Sequence, residues 1–283
     1  MQPAPLSTYQ LGRIQSLPIL RLVSIGAYLD GGIQDILLPL RYLPEGAKED
    51  DMVSVFVYHD NEGRLIATTL TPLAQVGEVA YLRCSSVTDA GAFLEWGIHK
   101  DLFVPFREQS TKMQEGYSYI VYLYIDALSG KIVGSARLSK HLDTMPADYA
   151  PGAKVSCIVT EQHELGYRCV IEDKHWGLLY SDTAPRMLQR GERIEAYVIR
   201  LREEDNKVDL SFVPVGYQKV DGEQVRLLTI LEKHHGRLPI GDKSPAEDVM
   251  RLTGMSKKTF KMVLGSLYKA GLVTLAPTEV RKK

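Results

Sequence analysis

The sequence predicts a mainly β protein with an α+β C-terminus: small five-stranded barrels in tandem, followed by a helical domain that ends in a strand. Three observations predict it. The first 216 residues contain the same pattern three times. Each copy alternates apolar and polar residues with a period of two, the mark of strands with one buried face. From Tyr217 onward the apolar spacing lengthens to three and four, the mark of helices, and the charge changes sign.

The repeat is anchored on glycine. Gly12, Gly77 and Gly152 each open a strand-rich run, and 14 residues later come Gly26, Gly91 and Gly166. Another 25 residues on stand Asp51, Gly116 and Gly191, each expected to open a fourth strand. Gly26-Ala27-Tyr28-Leu29-Asp30 matches Gly91-Ala92-Phe93-Leu94-Glu95, and the third copy has Gly166-Tyr167-Arg168-Cys169-Val170-Ile171-Glu172. A short apolar strand follows with about one residue of slip: Ile36–Pro39, Leu102–Pro105, Gly177–Tyr180. The fourth strand alternates, as Val53, Val55 and Val57 do. Turns are expected at Asp60–Gly63, Leu128–Gly130 and Glu204–Asn206. Each copy closes on a similar strand: Arg64–Thr68, Lys131–Ser135, Lys207–Ser211. Five strands in roughly 65 residues are too few for a sandwich and suit an OB-fold barrel, whose closure also removes sheet edges. The expected domains are residues 1–72, 73–146, 147–216 and 217–283, with short linkers at Thr144–Ala147 and Pro214–Gly216.

The order of these features resembles the S-one RNA-binding domain. That pattern runs from an entry strand after Gly, through Gly-Ala-Phe-Val and Gly-Leu-Val-His, to a Gly before strand four. It closes on a base, Ile, any residue, Leu and Ser. The third copy matches it in Gly177-Leu178-Leu179 and in Lys207-Val208-Asp209-Leu210-Ser211. The first two copies have Leu38-Pro39 and Val104-Pro105 where the histidine region would lie, so they are degenerate S-one-like barrels.

In the last domain, Val225, Leu228 and Leu231 mark a helix over Glu223–His234. Ser244-Pro245-Ala246-Glu247 reads as a second helix start, with Ser as cap, Pro in the first turn and Glu closing a capping box. That helix ends near Thr253-Gly254. Ser256 caps a third, through about Ala270, with Phe260, Val263, Leu264 and Leu267 as its apolar stripe. A strand, Gly271–Leu275, and a basic tail follow. This order resembles a winged helix, and Leu267–Val273 resembles its helix-to-wing junction. The whole arrangement resembles the bacterial conserved virulence factor B family, also called YitL. The resemblance implies three S-one-like modules, a C-terminal winged helix, RNA binding and a post-transcriptional regulatory role.

Composition fits a globular chain, with 45% hydrophobic and 24% charged residues. Met1–Gln10 lacks the pattern of a secretory signal, and no run approaches the ~18 apolar residues of a membrane helix. The expectation is a cytoplasmic protein, and three sparse cysteines fit a reducing compartment. The net charge of −1 conceals 13 basic against 7 acidic residues from Tyr217 onward, or +6, which leaves −7 for the rest. A basic end on an acidic body points to a polyanion or an acidic protein as partner.

OB barrels bind single strands by stacking bases on aromatics and meeting phosphates with cations. The third copy supplies Tyr167, Arg168, Lys174, His175, Trp176, Tyr180, Arg200 and Lys207 as candidates. Against them stand core roles for Trp176 and Tyr180, pairing of Arg200 and Arg202 with Glu203 and Glu204, and a net charge of about −3 for the copy. Tyr28, Tyr42, Phe93, Trp96 and Phe106 in the earlier copies are assigned mostly structural roles. Lys257, Lys258 and Lys261 at the start of the third helix are nucleic-acid candidates, since a helix N-terminus attracts phosphate; a solvated lysine face competes. Arg281–Lys283 reads as a frayed tail or a further basic contact. Cys157, His163, Cys169 and His175 lie six apart, whereas zinc ligands pair two to four apart, so no metal is expected. There is no P-loop, dinucleotide fingerprint, nucleophile elbow or carboxylate cluster, so neither catalysis nor a cofactor is expected. The leading function is single-stranded RNA binding. The alternatives are a duplex-DNA-binding transcriptional regulator and a protein-binding adaptor at the ribosome.

Overall fold

The computed structural model describes residues 9–181, 184, 186–202, 207–213 and 222–283. The expected turn at Glu204–Asn206 and the linker at Pro214–Gly216 lie outside the described residues. The chain divides into two compact units, residues 1–212 and 213–283.

The first unit contains the three repeats. In the first, β1 (Ile14–Val23), β2 (Gly26–Asp30), β3 (Asp35–Pro39), β4 (Met52–His59) and β5 (Leu65–Thr68) close into a barrel of order β1-β2-β3-β5-β4. The third repeats that order with β11 (Lys154–His163), β12 (Gly166–Ile171), β13 (His175–Tyr180), β14 (Arg193–Arg202) and β15 (Lys207–Ser211). The second has β6 (Val79–Thr88), β7 (Gly91–Leu94), β8 (Leu102–Pro105), β9 (Ser118–Ile125) and β10 (Ile132–Ser135), in the order β10-β9-β6-β7-β8. It is nearly closed: no ladder joins β8 to β10, and side chains fill the seam. A Cβ on Gly134 would lie 2.9 Å from both Leu102 and Val104.

The glycine repeat has a steric cause. Gly26, Gly91 and Gly166 have φ of 145°, 157° and 154°. A Cβ at each would stand 2.0, 2.3 and 2.1 Å from the carbonyl oxygens of Leu38, Val104 and Leu179. Only glycine lets β2, β7 and β12 approach the next strand so closely. The long first strand of each repeat bends at a register shift, between Ile19 and Arg21, Cys84 and Ser86, and Val159 and Glu161. Such bulges coil a strand around a barrel. The third anchor needs a correction of one residue. Gly116 and Gly191 donate their N–H to the carbonyls of Cys84 and Val159, and the residue that does so to Ile19 is Asp50, with φ 70°. Asp51 is its neighbour.

The barrels pack on one another. Phe56 and Tyr58 point out of the first barrel yet are buried, in one cluster with Leu82, Leu94 and Trp96 of the second. The Phe56 and Trp96 rings meet edge to face at 5.3 Å, and Trp96 Nε1 donates to Ala74 O at 2.7 Å. A second cluster joins Val79, Ile120, Leu138 and Leu142 to Ile158 and Val170, with Tyr122 and Trp176 against it.

The second unit consists of α1 (Gly222–Lys233), β16 (Arg237–Leu238), α2 (Ala246–Thr253), α3 (Lys257–Lys269), β17 (Val273–Ala276) and β18 (Glu279–Lys282), with the sheet ordered β16-β18-β17. The stripe Phe260, Val263, Leu264 and Leu267 is buried as expected, whereas in α1 Leu227 is buried and Val225 is exposed. Ser256 caps α3 by accepting from Thr259 N at 3.1 Å. Ser244 does not cap α2. Its hydroxyl accepts instead from Gly241 N at 2.8 Å, and Pro245 takes the cap position without a side-chain bond. Arg281–Lys283 is no frayed tail: Arg281 and Lys282 belong to β18, the central strand of the wing, paired with Thr274 and Val273.

Candidate nucleic-acid interface

Strand register places Arg168 (β12), Leu178 (β13), Asp209 (β15) and Arg200 (β14) in one row across the outer face of the third barrel. Asp209 points outward but is only 1% exposed, because two arginines cover it. Arg200 Nε lies 2.7 Å from Oδ2, and Arg202 Nη2 2.8 Å from Oδ1. An unpaired carboxylate so enclosed would cost several kcal/mol; here both oxygens are bonded. Asp209, and secondarily the Tyr180 hydroxyl, hold the Arg200 guanidinium in its charged form and raise its pKa. At the other end of the row the Arg168 guanidinium lies 3.6 Å over the Trp176 ring. Arg168 thereby satisfies the ring face while its edge stays available for hydrogen bonding. A groove of about 310 Å³ runs along this face, lined by His163, Arg168, Trp176, Leu178, Arg202 and Lys207. No carboxylate lines it among the described residues.

Of the eight candidates in this barrel, Arg168, Trp176, Tyr180, Arg200 and Lys207 share this side. Three do not. Tyr167 is 3% exposed inside the barrel core, its hydroxyl accepting from Leu188 N at 3.3 Å. Its ring is not presented to a base. His175 is buried too, bonded through Nδ1 to Tyr149 Oη at 2.8 Å and through Nε2 to Met145 O at 3.0 Å, which ties the linker to the barrel. Lys174 is exposed, but it sits in the β12–β13 turn beside the Ile171–His175 pair, at the opposite end of the hairpin from Gly166–Tyr180. The sequence reading missed the roles of His163, Leu178, Arg202 and Asp209. A signal was there: Arg200 and Arg202, like Lys207 and Asp209, are two apart on strands and so share a face.

The same row in the other barrels is apolar. In the first it is Tyr28, Leu37, Ile66 and Tyr58, and the Ile66–Tyr58 half lies under the second barrel. In the second, Phe93 meets Phe103 at 5.2 Å, and Tyr124 pairs with Val133 and packs on His141 at 4.6 Å. A cavity of about 640 Å³ lies between these two barrels. Its cations, Lys100, Arg107 and Lys131, are set against Asp101 and Asp126, and Lys100 Nζ is spent on the carbonyls of His59 and Asp60 at 2.7 and 2.8 Å.

In the second unit, the apolar stripe of α3 turns Lys258, Lys261, Met262, Tyr268 and Lys269 outward, with Lys257 half-buried beside the Ser256 cap. Lys257, Lys258 and Lys261 form no ion pair among the described residues. In the wing, Glu279 bridges Arg237 and Arg281, and Lys282 meets Glu232.

Cys157 and Cys169 are buried in the third core, and burial pushes both thiols up, Cys169 to about 12. Among the described residues no three His, Cys, Asp or Glu side chains gather to hold a metal, and no helix is long and apolar enough to cross a membrane.

Residues 11–70 match the S1 domain family and residues 225–281 the CvfB-like winged helix domain. The S1 match falls on the first barrel, although the third carries the motif residues quoted above. YitL of Bacillus subtilis is 26% identical over 280 residues, covering 93% of this chain and 90% of the relative. Conserved virulence factor B of Staphylococcus epidermidis is 23% identical over 278 residues, covering 94% and 92%. A crystal structure of a multidomain protein with nucleic acid binding domains from Streptococcus pneumoniae superposes with a TM-score of 0.43 at 22% identity, covering 96% of this chain and 98% of that one. The chain therefore carries an S1 domain and a CvfB-like winged helix domain, and is a homologue of YitL and the conserved virulence factor B proteins.

Proposed function

We propose that this protein binds single-stranded RNA, without catalysing a reaction on it, and acts in the cytoplasm as a post-transcriptional regulator. The third barrel and the winged helix are the binding parts. One observation carries the reading: the row that is apolar in the first two barrels is ionic in the third, beside a Trp176 ring stacked under Arg168. Cations next to an aromatic face are what a single strand uses, since stacking contributes ~1–3 kcal/mol per base and tolerates any sequence. The outward Lys258 and Lys261 of α3 would add phosphate contacts, and two linked weak sites gain avidity through effective concentration.

Fluorescence anisotropy with labelled single-stranded RNA tests this on the full chain. Tyr180→Ala with Lys207→Ala should weaken binding about tenfold or more while the melting curve is kept; unchanged affinity would overturn the site. The outward face of α3 also favours a second reading, duplex DNA, which a preference for duplex DNA over single-stranded RNA in the same assay would establish.

A further inference from the structure

We propose that the nucleic-acid path does not end on the third barrel but passes the Arg168–Trp176 stack into the cleft between the second and third barrels, where Arg137 and Arg190 hold backbone phosphates of the same single strand. The inference rests on the preceding reading of the third barrel as an RNA-binding face, and adds a contribution from the second barrel.

The cleft has a volume of about 430 Å³, and Arg168 and Trp176 line both it and the groove of the third barrel. The stack is thus a shared wall, and a strand leaving one space enters the other. The cleft adds Arg137 and Lys140 from the second barrel side and Arg190 from the third. Lys140 is engaged by the buried Glu108 at 3.0 Å. Arg137 and Arg190 are exposed and form no ion pair among the described residues. The one carboxylate in the lining, Glu161, lies 3.4 Å from His163 Nε2 and 3.9 Å from Arg168 Nη1. The walls are fixed in advance. Behind the cleft lies the apolar cluster that joins the two barrels, flanked by Arg193 Nη2 donating to Val79 O at 2.5 Å and Val79 N donating to Asp173 at 3.0 Å. A cleft with preformed walls leaves only its side chains to be ordered on binding. An acidic peptide would satisfy the arginines but has no base to stack on the Arg168 guanidinium over Trp176. A strand supplies base and phosphate together.

The test uses the full chain with fluorescein-labelled oligouridylates of about four and about twelve nucleotides, one at the lower end of the ~4–16 nucleotides an OB fold covers and one well above it. Anisotropy is followed across a salt series. Arg137→Gln with Arg190→Gln should weaken the longer oligomer about tenfold and reduce the salt slope by about 1.4, two phosphate contacts at ~0.7 each. The short oligomer should bind as before. Arg190→Glu alone, which disturbs no side-chain hydrogen bond among the described residues, should weaken the longer oligomer at least as much as the neutral Arg190→Gln. This keeps the test independent of the Arg137 Nε bond to Gln109 O.

If the arginine variants leave the longer oligomer unchanged while Tyr180→Ala with Lys207→Ala weakens both lengths, the path ends on the third barrel. The extension is then wrong and the function stands. An equal loss on both lengths also overturns it, because the arginines would then act on the third-barrel face itself. If none of the variants matters, the functional reading fails and the extension with it.

Discussion

The first and third barrels share their topology, their glycine and their bulge, and differ in what they place on the outer face. At matching register positions the first barrel has Arg21, Tyr28 and Asp35, where the third has Glu161, Arg168 and Trp176. In the first, Arg21 covers the Tyr28 ring at 4.3 Å and pairs with Asp35 at 2.7 Å, so cation, ring and acid complete one another. In the third, the cation and the larger ring stack, and the acid stands 3.9 Å off. The row beside them runs from Leu37 through Ile66 to Tyr58 in one barrel, and from Leu178 through Asp209 to Arg200 in the other. The difference follows from neighbours. The Ile66–Tyr58 side of the first barrel must be apolar because the second barrel covers it. Within the first unit no barrel follows the third, so its equivalent side is left to ionic groups. One scaffold face thus serves as glue in the first barrel and as a candidate binding surface in the third.

The largest effect should come from the part the barrels share. Gly166→Ala sets a Cβ 2.1 Å from Leu179 O at a φ that L residues avoid, and should cost about 3 kcal/mol or more. Gly26→Ala should cost about as much, because its clash with Leu38 O is the same. Gly46→Ala meets nothing within 4 Å and should cost only the ~1–2 kcal/mol of a left-handed residue. Denaturant melts of the three variants check the ranking. A mild Gly166→Ala would mean that the strands can part without loss.

Exchanging the rows tests the difference directly. Asp209→Ile with Arg200→Tyr gives the third barrel the residues of the first. Replacing an enclosed ion pair by apolar groups of similar size is often neutral or stabilising by ~1–4 kcal/mol. This variant should therefore fold and melt no lower than Asp209→Ala, yet bind RNA at least about tenfold more weakly. Asp209→Ala alone should instead destabilise, by about 1–2 kcal/mol, since it removes the carboxylate that two guanidinium groups share, both already partly screened by solvent. If the exchanged barrel bound RNA as before, the ionic row would be excluded as the binding feature. Arg168→Gln is the narrower cut: it removes the cation and leaves the ring, and should weaken RNA about fivefold to thirtyfold.

The repeat, the barrel class and the helix order were legible because they depend on local signals: glycine where a Cβ would strike a carbonyl, period two in strands, Ser256 at a cap. The misassigned residues turned on which side of a strand faces the core. Tyr167 and Arg168 are adjacent and both suit RNA, but the bulge after Val159 and the pairing with β13 decide that Tyr167 goes inside. His175 looked like part of the site because its partners, Tyr149 and Met145, are 26 and 30 residues away. Phe56 and Tyr58 illustrate the same limit. They break the alternation of Val53, Val55 and Val57 because the strand is covered on both sides, and what covers it is the next barrel.

The smallest effect is the most discriminating control. Arg21→Gln removes from the first barrel the same kind of cation over a ring as Arg168→Gln removes from the third. Its ion pair with Asp35 is half-exposed at both ends, and such pairs contribute ~0–1 kcal/mol. Losing the contact with Tyr28 adds about 0.5–1 kcal/mol at a surface site. The melting temperature should thus fall by no more than a few degrees, and RNA affinity should not change. Any single-strand binder gains a little from every surface cation, so a general loss of charge would weaken binding equally at Arg21 and Arg168. Only a defined site separates the two. Equal losses from both variants would indicate that the strand follows the net field of the protein, and the contrast between the barrels would then concern packing alone.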